Sequence, residues 1–234
     1  MTEKQLKKRL NLSQKDFQDI SDTIEKMERK TSGEIAIAVA PQSSSYAFWE
    51  AAASAGTVCA LFLCVFPMSP QIYRWLEGRF WNIQPYHLSL FFFLLCSAAG
   101  VLLYFFYNIP AVDSIVIPRA AKECAVSSRA VRYFSESGIY CTENHSGILI
   151  FVSYFEKQVR ILADRGISEK ISSDLWNIIS DELSENLCKG NAKEAFVQAI
   201  EKCGQLLQDN FPVQAEKKNE LYNGLVVLED EKWM

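Results

Sequence analysis

Ile35-Ala36-Ile37-Ala38-Val39-Ala40 is apolar at every position, follows the breaker Thr31-Ser32-Gly33 and is stopped by Pro41. A short run with β-branched residues at alternate places and no polar face reads as a strand buried on both sides of a sheet. Such a strand needs neighbours. Upstream there is only an amphipathic helix, in which Ser13 caps with Asp16 three residues later and Phe17, Ile20, Ile24 and Met27 recur at helical spacing.

Immediately downstream the composition changes. The 234 residues average 49% hydrophobic and 22% charged, which would suit one soluble domain if evenly spread. They are not evenly spread: residues 51–110 hold Arg74, Glu77 and Arg79 as their only full charges. Residues 51–68 (AAASAGTVCALFLCVFPM) carry no charge, and residues 87–107 (HLSLFFFLLCSAAGVLLYFFY) are a stronger apolar run. Each is long enough for a helix across a hydrocarbon core of about 30 Å. Trp75, Trp81 and Tyr86 in the connecting loop, with Tyr46 and Trp49 ahead of the first span, are the expected interfacial anchors. Two spans with no acidic or basic residue at mid-depth exclude a polytopic transporter, a pump and an ion path.

Orientation follows from charge and from the first 45 residues, which show no apolar signal core. Arg29, Lys30, Arg119 and Lys122 flank the outer ends of the hairpin, against Arg74 and Arg79 in the loop. The expectation is a two-pass protein of the cell (inner) membrane with the soluble domain and both termini cytoplasmic. Seven cysteines, an odd number without framework spacing, fit thiols in that compartment. Ala52 with Gly56, and Cys96 with Gly100, place small residues four apart on each span, so that the spans pack together; a homodimer through such faces is the second option. A net charge of −4 gives no support to nucleic-acid binding.

The missing strands follow the second run. Arg119 to Ser137 reads as a helix with Ala121, Val126, Ala130, Val131 and Phe134 inward, closed by Gly138. Ile148 to Val152 is a second doubly apolar strand, opened by Gly147. A turn through Glu156 and Lys157 leads to a third, in which Val159, Ile161 and Ala163 alternate with Arg160 and Leu162. Two amphipathic helices follow. One is expected to start at Ser168, with Ile171, Leu175, Ile178, Ile179, Leu183 and Leu187 inward, the other at Asn191, with Ala195, Phe196, Ala199, Ile200, Leu206 and Leu207 inward. The order is satisfied by an α/β fold, a single sheet flanked by helices and interrupted by a transmembrane helical hairpin. The parts are 1–46 (helix and first strand), 47–110 (hairpin), 111–212 (the rest of the domain) and 213–234, a flexible tail whose one apolar segment is Leu225 to Leu228.

The string Lys30-Thr31-Ser32-Gly33-Glu34-Ile35-Ala36-Ile37-Ala38-Val39 carries a resemblance. So do Phe134, Gly138-Ile139, Thr142, Glu143-Asn144 and Ser146 to Ser153, continued by Glu156, Val159 to Ile167, Trp176 and Phe211-Pro212. Together they resemble the TPM domain family, in a bacterial membrane-bound branch where two spans interrupt the domain. The resemblance implies a compact TPM-like sheet flanked by helices. It also implies a family of several jobs: acid phosphatases of the thylakoid lumen, photosystem II repair factors and an auxiliary subunit of an acetylcholine receptor, with divalent metal, chiefly calcium, in some members. Fold does not carry function across such a spread.

In better-known members the second strand is introduced by Asp-Asn-Gly; here the positions read His145-Ser146-Gly147, so that carboxylate is missing. Glu143 and Asp164 are the candidate metal ligands, with His145 nearby, if the two strand-end turns lie side by side; the plainer reading makes both carboxylates solvated turn residues. Calcium accepts mixed carboxylate and carbonyl oxygens, six to eight of them. A phosphatase would use His145 or Asp164 as general acid or nucleophile. No phosphate-cradling cysteine loop, Asp-x-Asp pair, P-loop or triad spacing supports catalysis, and Cys141 beside the turn is expected to be structural. The expectation is therefore a membrane-anchored binding or accessory module of a membrane complex, with the bilayer and an unidentified protein as partners, more a non-enzyme than an enzyme. The alternative is a divalent-metal-dependent phosphohydrolase.

Overall fold

The computed structural model describes residues 8–79, 81, 84–109, 112, 115–142, 145–213 and 221–228. The chain divides into two compact units, Met1–Ser44 with Ala120–Met234, and Ser45–Arg119.

In the first unit, α1 (Gln14–Glu28) opens with the expected capping box. The Asp16 N–H donates to Ser13 Oγ at 3.3 Å; the Ser13 hydroxyl at 2.6 Å and then the Ser13 N–H at 2.7 Å donate back to Asp16 Oδ2 and hold that carboxyl below its ordinary range. Strand β1 (Glu34–Ala40) follows, then, beyond the other unit, α5 (Arg119–Glu136), β2 (Gly147–Ser153), β3 (Gln158–Ala163), the four-residue α6 (Arg165–Ser168), α7 (Ser173–Cys188), α8 (Ala192–Asn210) and β4 (Leu225–Val227). The sheet order is β3-β2-β1-β4. β1 and β2 are parallel in the register Glu34↔Gly147 to Ala40↔Ser153, β2 and β3 form an antiparallel hairpin, and β4 runs parallel to β1. The α/β fold expected from the doubly apolar runs is present as one mixed sheet flanked by helices.

Alternation along β1 and β2 makes two cores. Ile35, Ile37, Val39, Ile148, Ile150 and Val152 face α1, α7 and α8, where Ile20, Ile24, Phe196, Ile200 and Leu207 are fully buried. Ala38, Ala40, Leu149 and Phe151 face α5 through Val126 and Ala130, and face Ile139.

Four expectations are corrected in this unit. The helix expected at Ser168 begins at Ser173, capped by Ser172, because Asp164 instead starts a separate turn that ends at Ser168. Its inner face is Trp176, Ile179 and Leu183, while Leu175 and Ile178 are exposed. On α5, Val131 faces outward and Arg129 is buried beside Ala130. Within the tail, Leu225–Val227 pairs with β1, because its aliphatic side chains complete cores that the other elements leave open at that edge.

The second unit is a helical hairpin. α2 (Ala47–Val65) leads through a 3-10 turn (Phe66–Met68) into α3 (Ser69–Arg79), and α4 (Pro85–Tyr107) returns. The segment holding Trp75, expected as loop, is therefore helical, Pro67 and Pro70 being tolerated at the first turns. Ala47–Arg79 and Tyr86–Tyr107 are each long and apolar enough to cross a membrane. They meet through Phe62, Phe66 and Phe92, the Phe62 and Phe92 rings lying edge to face at 5.7 Å. Polar fasteners close one end: Thr57 Oγ1 and Tyr107 Oη are 2.9 Å apart, and Asn108 Nδ2 donates to Glu50 Oε2 at 3.2 Å. A Cβ on Gly100 would meet Val58 Cγ2 at 3.8 Å and one on Gly56 would meet nothing within 4 Å, so large side chains rather than a shared small-residue seam set this packing.

Candidate functional site

The start of β2 and the end of β3 lie side by side because the two strands form a hairpin; the Asp164 N–H donates to Gly147 O at 2.9 Å. Glu34 pairs with Gly147 from the other side, so Glu34, Gly147 and Asp164 form one row across the end of the sheet. Gly147 is required there: a Cβ would come within 2.4 Å of Ile139 O in the 3-10 turn Ile139–Cys141.

Asp164 is not a solvated turn residue. It is 8% exposed, and both carboxylate oxygens are engaged. Oδ1 accepts the Arg165 N–H at 2.6 Å and caps α6, while Oδ2 lies 3.2 Å from His145 Nδ1. His145 reaches it from a left-handed backbone (φ +48), a conformation in which His is enriched over most residues, and its side chain stays largely in solvent. The turn is held by the His145 N–H on Thr142 O at 3.0 Å, the Ser146 N–H on Thr142 Oγ1 at 3.1 Å and Ser146 Oγ–H on Ser32 O at 3.1 Å. Thr31 Oγ1 in turn donates to Phe211 O at 2.6 Å, tying the entrance of β1 to the end of α8. On the neighbouring turn the Tyr140 phenol is pushed above its ordinary value, first by its hydrogen bond with the Cys141 thiol.

The structure thus joins His145 to Asp164, as the side-by-side turns require. Glu143 and Asn144 lie outside the described residues. The residues that sequence reading passed over are Glu34, 2% exposed in the row with Asp164, and Thr142, which organises the turn. The available signal was an acidic residue between Gly33 and a wholly apolar strand, an expensive place for a carboxylate.

Calcium takes six to eight oxygens. Among the described residues no three or more His, Cys, Asp or Glu side chains gather in a group that would hold a metal ion, and Asp164 uses both oxygens inside the protein.

The opposite end of the sheet carries a second polar cluster. Glu156, in the polar turn expected between β2 and β3, is buried and accepts the Ser43 N–H at 2.9 Å and the Ser153 hydroxyl, while the Ser43 and Ser153 hydroxyls are 2.6 Å apart. It closes the β2–β3 turn onto the chain leaving β1.

Residues 112–206 match the family model of the TPM domain. The match takes in α5, β2, β3, α6, α7 and most of α8, including His145 and Asp164, and leaves α1, β1 and β4 outside. The NMR structure of the BA42 protein from the psychrophilic bacterium Bizionia argentinensis superposes with a TM-score of 0.52 at 19% identity, covering 92% of this chain and 94% of that one. At that identity the likeness is one of fold. No curated protein matches the chain.

Proposed function

We propose that this chain is a TPM domain held at the cell membrane by its helical hairpin, with the sheet unit and both termini cytoplasmic, and that it serves a membrane complex as a binding or accessory module rather than as an enzyme. The observation that carries the reading is the commitment of Asp164: one oxygen caps α6 and the other holds His145, so the best-placed carboxylate has a structural task. The two apolar helices support the anchor. The bilayer and a protein subunit are the partners, with a homodimer through the hairpin as one form of that complex.

The second reading is a phosphohydrolase. One observation favours it: a hydrogen bond from His145 Nδ1 to Asp164 leaves Nε2 of an oriented, solvent-facing imidazole free to exchange a proton.

Hydrolysis of p-nitrophenyl phosphate by the detergent-purified full chain separates the two, measured from acid to neutral pH with and without millimolar calcium. Accessory function predicts no turnover above buffer. Turnover that disappears in both His145→Ala and Asp164→Asn would replace it with the phosphohydrolase. Placement is tested on intact cells with a membrane-impermeant thiol reagent, which should leave the exposed Cys124, Cys141 and Cys188 unmodified. Their labelling would reverse the topology.

A further inference from the structure

β1 lies inside the sheet only because of three residues. Its β2 side is paired over seven positions, from Glu34 to Ala40, whereas its outer side is paired only at Ile37, Ala38 and Val39, by Leu225, Val226 and Val227. Odd-numbered residues of β1 present their backbone groups outward: the Ile35 N–H goes to Glu28 Oε1 at 2.9 Å, and Val39 O receives the Leu228 N–H at 2.9 Å.

Continued by two steps, the register would set Ile35 opposite Asn223, with the Ile35 N–H towards Tyr222 O and the Ile35 carbonyl towards the Gly224 N–H. Those groups are engaged elsewhere, the Ile35 N–H by the Glu28 carboxylate and the Gly224 N–H by Tyr222 O at 2.9 Å, while the Ser21 hydroxyl holds the Asn223 carbonyl on the side away from β1. The Glu28 side chain and the tight turn from Tyr222 to Gly224 therefore hold the ladder at three residues, the short end of the range in which strands occur.

The segment is weakly held in other ways. Val226, Val227 and Leu228 are only half-buried and Tyr222 is exposed. Asn223 Oδ1 is buried and accepts no hydrogen bond among the described residues, which favours the open state, where water would satisfy it. Yet the underlying edge is apolar on both faces, with Leu225 entering the core of Ile35 and Ile37 while Leu221 and Leu228 lie over that of Ala38 and Leu149. An uncovered edge of this kind is a template for strand addition.

We propose that residues 221–228 are a releasable strap. Docked, it closes the outer edge of β1 and blocks strand addition; released, it opens that edge to a parallel strand from a partner, an extended, uncharged aliphatic segment that repeats the chemistry of Leu225-Val226-Val227-Leu228. The inference stands on the sheet geometry and holds whichever reading of His145 and Asp164 proves correct.

The probe is a fluorescein-labelled peptide of residues 221–228 (LYNGLVVL), titrated against the detergent-purified full chain and against its Val226→Pro variant. By strand alternation Val226, like Leu228, points its N–H at β1, so proline removes a ladder donor while Leu225 keeps its place in the core. A strap tethered at millimolar effective concentration excludes micromolar peptide, so binding to Val226→Pro should be at least about tenfold tighter than to wild type. Equal binding, or none to the variant, would overturn the strap. Hydrogen exchange on the wild-type chain decides independently of the variant's folding. The Val226 and Leu228 amides should exchange about 100-fold faster than those of Ile148 to Val152, because they open locally. Exchange at the rate of β2 would mean that the segment is a fixed part of the core and would equally overturn the proposal.

Discussion

Glu28 Oε1 accepts the backbone N–H of Ile35 at 2.9 Å, so a carboxylate at the end of one helix caps the edge of the strand that follows it seven residues on. A buried glutamate at 5% exposure is costly unless it does such work. The bond also marks where the outer pairing of β1 stops.

Glu28→Ala is therefore expected to destabilise the sheet unit by about 2 kcal/mol, since it strands a buried donor that had been paired with a charged group. Glu28→Gln keeps an acceptor and should cost less than half as much. Urea unfolding of the three proteins, followed by tryptophan fluorescence, gives the ranking.

Asp164 and His145 share a bond but not its importance. Asp164→Ala removes a helix cap from a buried position, worth about 1 kcal/mol, whereas His145→Ala removes an exposed partner worth about 0.5 kcal/mol or less. For a chain of this size the first should lower the melting midpoint by about 2–4 °C and the second by a degree or so. Calcium should move neither midpoint.

Gly204 on α8 packs against Met27 on α1 so closely that a Cβ would lie 2.7 Å from Met27 Cβ and 2.6 Å from Cε. Gly204→Ala gains about 1 kcal/mol of helix propensity but forces the helices apart, at about 1–3 kcal/mol. The net effect should be destabilising. Adding Met27→Ala should recover part of that loss, a coupling visible in a double-mutant cycle of melting midpoints.

Burial pushes the Cys203 thiol up to about 12, from an ordinary value of 9.0. At neutral pH iodoacetamide should modify the exposed Cys124, Cys141 and Cys188 and leave Cys203 until the protein unfolds, as mass mapping would show. The folded state binds this proton more tightly than the unfolded one, so the contribution is constant below about 9 and is lost as pH rises towards about 12, at roughly 1 kcal/mol per unit. The alkaline fall in urea midpoint should be shallower in Cys203→Ala.

The doubly apolar runs at Ile35 and Ile148, the capping box at Ser13 and the charge-free stretches around Val58 and Leu95 determined the strands, the first helix and the hairpin, because each is a local pattern of side-chain polarity that constrains the backbone near it. Tertiary structure decided the rest. That Glu28, Glu156 and Asp164 are structural acceptors and not solvated charges depends on a backbone N–H or a hydroxyl brought to each by the fold, in two cases from more than five residues away along the chain. That Leu225–Val227 is a strand depends on an apolar edge of β1 nearly two hundred residues distant. No local pattern can reveal such a partner, since a three-residue aliphatic run in a polar tail has the same propensity whether or not an open sheet edge awaits it.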